Sequence, residues 1–542
     1  MLRTKALFTE SQIMLLEEFE RQPKGEPPNS DDAVEALTQD YARRIRNARV
    51  YEVAVRSPLE EAPRLSQRLG NHVWLKREDL QSVYSFKLRG AYNKIAGLPA
   101  QQRERGVICA SAGNHAQGVA LAGQKLGIKA TIVMPTTTPP IKVESVEALG
   151  GNIVLAGDSY DEASAAALKL VQEQGLAYIP PYDDPEVIAG QGTVGMEIDQ
   201  QRGEDLDIVF VPVGGGGLAA GVAAWFKCMR PEVKVIAVEP DDAACLYAAL
   251  EAGERVTLEQ VGLFADGVAV RQIGAEPFRV LQPLIDGVVR VTVDEICAAI
   301  SEIFRENRSL PEPAGAVALA GLKRYVEQTG VKDKHLVAIE SGANVNFDRL
   351  RHIAERTELG EQREALLAVT IPERPGAFRQ FLDALDKRGV SEFNYRYSDA
   401  SQAHIFVGIK LSDGIAEKQA LIDRLRSEDY PVEDLSDNEM AKVHVRYMVG
   451  GRAAHVTDEV VFRFEFPERP GALLKFLNSI GGRWNISLFH YRNHGAAYGR
   501  VLVGLQVPEQ DRQACRQALD DLHYDYAEET DNPAYRFFLD KP

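Results

Sequence analysis

Little in this chain invites a disulfide framework, a zinc site, a membrane span or a nucleic-acid partner. Its five cysteines (Cys109, Cys228, Cys245, Cys297, Cys515) lie far apart and none stands in a CxxC pair, which fits small core residues in a reducing compartment. No apolar run approaches the roughly 18 residues that a spanning helix requires. The first 45 residues carry Glu10, Glu17, Glu18 and Glu20, whereas a transit peptide is poor in acids and a secretory signal needs an apolar stretch. A formal charge of −17 and a pI near 5.2 argue against a basic surface, and so against nucleic acid or an anionic membrane as partner. The expectation is a cytoplasmic protein.

What is present is organised in blocks. A chain of 542 residues exceeds one ordinary core, and at roughly 150 residues per domain about three to four domains are expected. Residues 1–45 read as an extension without chemistry: a helix over 11–21, a soft Pro/Gly stretch over 23–28 and a second helix from near Asp31. Over 46–358, apolar strands (107–109, 130–134, 152–156, 208–213, 233–238, 335–339) alternate with helices such as 115–126 and 160–174, each closed by a glycine. That alternation predicts an α/β fold of mostly parallel sheets covered on both faces, long enough for two lobes and a cleft. Such sheets bind ligands beyond the carboxyl ends of their strands.

Beyond the charged stretch 354–364 the chain repeats itself. Ile371-Pro372-Glu373-Arg374-Pro375-Gly376-Ala377 returns 95 residues later as Phe466-Pro467-Glu468-Arg469-Pro470-Gly471-Ala472, and Tyr395-Arg396 and Val407-Gly408 are echoed by Tyr491-Arg492 and Val503-Gly504. Two copies follow, 359–450 and 451–542, each predicted as a βαββαβ unit of ferredoxin-like type. Neither carries a cluster fit for catalysis, so binding is their expected role.

Three segments of the first block carry chemistry. Ser85-Phe86-Lys87-Leu88-Arg89-Gly90-Ala91 holds a lysine between apolar neighbours with Arg89 beside it. An amine becomes a nucleophile when burial or a nearby cation lowers its pKa; the same run also reads as a surface lysine opening a helix. Gly214, Gly215, Gly216 and Gly217 lie between a strand and the helix start Leu218-Ala219-Ala220, where backbone N–H groups and the helix dipole suit a phosphate. It is not the triphosphatase loop, and no acid stands where a dinucleotide fingerprint needs one. Ser111, Ala112, Gly113, Asn114 and His115 offer N–H groups, a hydroxyl, an amide and an imidazole at another helix start, which would fit a carboxylate; an ordinary N-cap is the plainer reading. Ser341-Gly342-Ala343-Asn344 forms a further polar turn after a strand.

These four motifs, in this order, resemble the fold-type II pyridoxal-phosphate enzymes over about residues 56–346, in particular their threonine dehydratase branch. With the duplicated C-terminal module, the whole is similar to the allosterically controlled, biosynthetic members of that branch. The resemblance implies a fold-type II catalytic domain followed by two ACT-like regulatory domains. It implies that Lys87 bonds the cofactor pyridoxal 5'-phosphate and later takes the Cα proton, and that Phe86 packs on the pyridine ring. Asn114 would meet the ring oxygen, Gly214 to Leu218 the phosphate and Ser341 the ring nitrogen, with Ser111 to His115 holding the substrate carboxylate. The implied reaction is β-elimination from L-threonine to 2-oxobutanoate and ammonia, with L-serine as a secondary substrate giving pyruvate.

The resemblance also weighs neighbouring activities. Leu88 after the lysine departs from threonine synthases, and Ala112 stands where related racemases have a serine base. The divalent-metal site of those relatives keeps Glu239 here but has Cys245 in place of an aspartate, so no metal is expected. The paired copies imply inhibition by L-isoleucine and relief by L-valine in a homotetramer, with the turns 372–376 and 467–471 the expected effector contacts. Two alternatives stand: a serine-preferring dehydratase, and an amino-acid sensor whose catalytic domain has lost activity.

Overall fold

The computed structural model describes residues 30–542 except 348, 387, 398–400, 444, 449, 452, 454–455, 468–471, 481–482, 493–497 and 540–542. The helix expected over 11–21 and most of the turn 467–471 lie outside the described residues. Two compact units divide the chain, Met1–Thr357 and Glu358–Pro542.

In the first unit the alternation of strand and helix yields two sheets. The larger has six strands in the order Leu59–Glu61, His72–Arg77, His335–Glu340, Ile208–Pro212, Lys234–Pro240, Gly287–Val291. Only its first pair is antiparallel. The smaller runs Asn152–Leu155, Ala130–Met134, Val107–Ala110, Ala177–Tyr178, all parallel. Every residue of Ile208–Pro212 and of Ala130–Met134 is buried, because helices cover both faces of a parallel sheet and leave no solvent side for polar alternation. Helices Asn114–Leu126 and Tyr160–Gln174 end on Gly127 and Gly175 in the left-handed conformation, where the absence of a Cβ removes the strain.

The N-terminal segment differs from the expected appendage. Helix Asp31–Asn47, capped by Ser30, buries Leu37, Tyr41, Ala42 and Ile45 in the same core cluster as Val194, Val222 and Phe226. The Tyr41 hydroxyl donates to buried Glu276 at 2.5 Å, and Arg44 pairs with Glu186 at 2.5 Å. Its apolar face, spaced at helical period, is therefore part of the first unit's core.

In the second unit each copy has the expected strand, helix, strand, strand, helix, strand order, and the two join in one antiparallel sheet of eight strands through Val390–Arg396 and Asn485–Arg492. The duplication extends to irregularities. Pairing shifts between Val390 and Glu392 and again between Ile486 and Leu488, so Ser391 and Ser487 occupy equivalent bulges. Ser391 donates to Glu364, and Ser487 donates to Glu459 at 2.5 Å. Opposite them stand Gly408 and Gly504, where an added Cβ would come within 2.3 Å and 2.9 Å of the serine oxygens. Glycine is needed at both positions because the serine and the carboxylate fill the space of a side chain.

Candidate active site

Lys87 opens helix Lys87–Ala96, and backbone contacts from distant segments fix where that opening points. Ser85 forms an antiparallel bridge with Gly342. The Phe86 N–H donates to the Ser341 carbonyl at 3.2 Å, and the Ala343 N–H to the Tyr84 carbonyl at 2.9 Å. Tyr84 has φ +55°, a left-handed conformation that costs a non-glycine residue energy and that the bridge holds in place. From the smaller-sheet side, helix Asn114–Leu126 packs on the same residues through Gly118. A Cβ there would lie 3.1 Å from the Leu88 nitrogen and 3.2 Å from the Lys87 carbonyl carbon.

The Lys87 ammonium donates to the Pro181 carbonyl at 3.2 Å and lies 5.3 Å from the centroid of the Phe86 ring. Burial pushes its pKa down to about 8, with Glu312 working in the opposite direction. Arg89, the cation expected to activate it, does not. Arg89 is wholly buried and pairs with Glu78 at 2.8 Å and Glu197 at 2.7 Å. Glu197 also takes buried Lys76 at 2.6 Å. Burial works against the Arg89 charge, but Glu78 and Glu197 outweigh it and hold the guanidinium above its ordinary pKa. Lys87 is thus activated by burial alone.

The glycine run is a tightly packed turn. Gly216, with φ +92°, caps helix Gly217–Met229, and Leu218 is buried behind it. A Cβ at Gly214 would lie 2.9 Å from the Val268 Cα, one at Gly215 would enter the Tyr182 ring at 2.2 Å, and one at Gly217 would lie 3.1 Å from the Tyr182 Cα. Tyr182 follows Pro181, so one loop touches both the Lys87 amine and the glycine run. That loop was not identified from sequence, because its strand, Ala177–Tyr178, has two residues and gives no periodic signal; the Pro180-Pro181-Tyr182-Asp183-Asp184-Pro185 cluster was the available clue.

The second cradle differs in one respect from expectation. The Ser111 hydroxyl accepts from the Gly113 N–H at 3.3 Å, and Ala112, Gly113 and Asn114 are partly open to solvent. His115 turns inward instead: its Nε2 lies 2.8 Å from the Ile179 carbonyl. Burial, with the Lys87 charge adding to it, pushes its pKa down to about 3. The ring is neutral with its proton on Nε2, so it offers no positive charge to a carboxylate.

Asn114 is held at both ends. Its Nδ2 donates to a Glu312 carboxylate oxygen at 2.6 Å, and its Oδ1 accepts from Asn344 Nδ2 at 2.7 Å. Buried Glu312 stands at the N-cap of helix Pro313–Thr329 without capping it. Burial first, and Asp266 second, push its pKa up to about 7 against the Asn114 bond. In the sequence Glu312 is one glutamate before a proline and reads only as a helix start. Ser341 is buried, its hydroxyl 3.4 Å from the Ala314 carbonyl.

Glu239 is occupied in holding a helix: its two oxygens accept from the Leu246 and Tyr247 N–H groups at 2.8 and 2.9 Å, and the Cys245 thiol donates to the Gly214 carbonyl at 3.4 Å. Among the described residues no group of three or more His, Cys, Asp or Glu side chains is arranged to hold a metal ion, and no helix is long and apolar enough to cross a membrane.

Residues 51–342 match the family model for pyridoxal-phosphate dependent enzymes, and residues 355–445 and 450–539 each match the model for the C-terminal regulatory domain of threonine dehydratase. The chain is 54% identical over 505 residues to the biosynthetic L-threonine dehydratase IlvA of Burkholderia multivorans, covering 93% of this chain and 99% of that one. It is 55% identical over 500 residues to that of Escherichia coli strain K12, covering 92% and 97%. Among solved structures, the processed form of threonine deaminase isoform 2 from Solanum lycopersicum aligns with a TM-score of 0.59 at 51% identity, over 61% of this chain and 95% of that one.

Proposed function

The chain belongs to the pyridoxal-phosphate dependent threonine dehydratases, the biosynthetic kind with a C-terminal regulatory region, and from that premise we propose roles for its residues and an effector. It is a pyridoxal-phosphate dependent L-threonine ammonia-lyase. The observation that carries the residue assignment is the convergence on Lys87: the Ser341 turn binds its loop, Gly118 packs on its backbone, and the loop that accepts its ammonium covers the glycine run.

The residues suit the cofactor. An amine of lowered pKa bonds the loop that covers the glycine run, the glycine cradle admits no Cβ, and the Ser85 hydroxyl and His115 Nδ1 are buried without a hydrogen-bond partner. When bound, pyridoxal phosphate supplies the electron sink that lets a proton leave the substrate Cα and the β-hydroxyl follow. Lys87 would bond the cofactor aldehyde and carry the Cα proton on its Nζ. The N–H groups of Gly214, Gly215, Gly216, Gly217 and Leu218 would hold the phosphate, and Asn114 would donate to the ring oxygen. Phe86 would pack on the ring, while Ser341 would face its nitrogen with a neutral hydroxyl. The Ser111 hydroxyl and the N–H groups from Ala112 to His115 would hold the substrate carboxylate.

The products are 2-oxobutanoate and ammonia. L-serine is a second substrate, since loss of one methyl group changes discrimination by only about 1 to 3 kcal/mol. L-isoleucine, opposed by L-valine, is the effector of the second unit, a reading supported by the two regulatory-domain matches. The enzyme works as a homotetramer in the cytoplasm, in keeping with five unpaired cysteines. The test is the initial rate of 2-oxoacid formation from L-threonine and from L-serine, each with and without L-isoleucine. Threonine turnover suppressed by isoleucine is expected; turnover indifferent to it would remove the effector assignment and leave the chemistry.

A further inference from the structure

Glu312 is a buried acid against Asn114 for which neither the assigned chemistry nor the packing gives a task. Among the described residues no lysine or arginine forms an ion pair with it; it accepts from the Asn114 amide at 2.6 Å and from the Asn344 backbone N–H. Beside it lies a cavity of about 50 Å³, lined also by Lys142, Asp266, Asn344, Asn346 and Arg349, roomy enough for water. Charges reach Glu312 from every side. Lys142, on helix Pro140–Glu147, pairs with Asp266 at 2.9 Å, and Arg349, opening helix Arg349–Gly360, pairs with the same aspartate at 3.5 Å. Lys87 faces it from the opposite helix start. The rim cations pair with Asp266, and Lys142 also acts on Glu312 from a distance, drawing its pKa down.

The chain Asn344 to Asn114 to Glu312 settles which end of the Asn114 amide is which. Asn344 Nδ2 also donates to the Val83 carbonyl at 2.9 Å, which fixes that end of Asn344 as the donor; the Asn114 oxygen therefore faces it, and the Asn114 nitrogen meets Glu312. One N–H of that nitrogen is spent on Glu312 and the other remains for a ligand. We propose that Glu312 is a positioning residue that fixes the donor direction of Asn114 and, by gaining or losing its own proton, changes how firmly that donor is held. A bond to an ionised acceptor is roughly twice as strong as one to a neutral acceptor, so protonation through the water-sized cavity loosens the amide. The inference rests on the assignment of Asn114 to the cofactor ring.

The experiment titrates pyridoxal phosphate into apoenzyme of the wild type, N114A, E312A and E312Q, following the visible absorption band. N114A and E312A are expected to bind about tenfold more weakly or worse, since the first leaves buried Glu312 short of a donor and the second leaves the Asn114 donor unaimed. E312Q keeps an oxygen that accepts from Asn114 and Asn344, and is expected within about threefold of wild type near pH 6. The wild-type to E312Q affinity ratio is expected to grow at least about threefold between about pH 6 and about pH 8, as Glu312 ionises in one protein and not the other. Weak binding by N114A with wild-type binding by E312A would overturn the inference and keep the Asn114 assignment. Wild-type binding by N114A would sink both. A ratio flat across that pH range would remove the ionisation role, and this arm stands even where E312A fails to fold.

Discussion

Lys87 and Arg89 lie two residues apart on one helix and meet opposite surroundings. Behind the helix, Arg89 and Lys76 are matched by Glu78 and Glu197, all four wholly buried and all paired at 2.6 to 2.8 Å. In front, Lys87 has a carbonyl for a partner and Glu312 has an amide. The rear cluster is balanced, so neither protonation nor a ligand changes it at moderate cost; the front groups are unbalanced, and their pKa values, about 8 and about 7, lie where a proton can be gained or lost. Incomplete pairing marks the chemistry, and complete pairing marks the scaffold that aims it.

The largest effect that would test this contrast is Lys87→Ala, expected to abolish the visible cofactor band and lower kcat by at least about a hundredfold to ten-thousandfold. Formation of 2-oxobutanoate at the wild-type rate would refute the front half. Arg89→Met addresses the rear half: Glu78 and Glu197 would each keep a buried charge short of a partner, and urea unfolding is expected to show a loss of about 3 to 5 kcal/mol, while folded enzyme keeps its cofactor band. A stability within error of wild type would mean the rear cluster is not the frame described.

A pH series sharpens the comparison. Burial depresses Lys87 below the ordinary lysine value, so between about 8 and 10.5 the unfolded chain binds more protons than the folded apoenzyme, and the Lys87 contribution to stability rises with pH. Lys87→Met is expected to flatten that rise, and the rate at which wild-type apoenzyme takes up pyridoxal phosphate is expected to climb to about pH 8 and then level. The smallest effect is Tyr41→Phe, which removes one hydrogen bond to Glu276 while Arg279 still pairs with that carboxylate at 2.5 Å; about 1 kcal/mol in thermal or urea unfolding is expected. Removing residues 1–45 is expected to cost more, since it strips Leu37, Tyr41, Ala42 and Ile45 from the core.

Strands buried on both faces and helices ended by glycine carry strong periodic signals, and every strand expected in the first unit stands within two residues of its expected place. The duplicated turns carried the second unit in the same way. What local pattern could not carry was partner choice across long separations. Arg89 reads as a neighbour of Lys87 in the chain, yet its partners come from residues 78 and 197. Glu312 reads as a helix start, yet its meaning comes from Asn114, 198 positions away. His115 reads as a polar side chain at a cradle, and only the fold reveals the Ile179 carbonyl beneath it. Helix 31–47 was legible as a helix, but its burial depends on a surface supplied by residues after 185.

The bridge from Ser85 to Gly342 has a consequence for the order of assembly. Lys87 is made early in synthesis and its backbone clamp late, so nearly half of the chain is added between Lys87 and Gly342. Strand His335–Glu340 must insert between two strands already made, His72–Arg77 and Ile208–Pro212, and non-local pairing of that kind is slow. The amine therefore reaches the backbone setting of the finished fold only after residue 342 has been made.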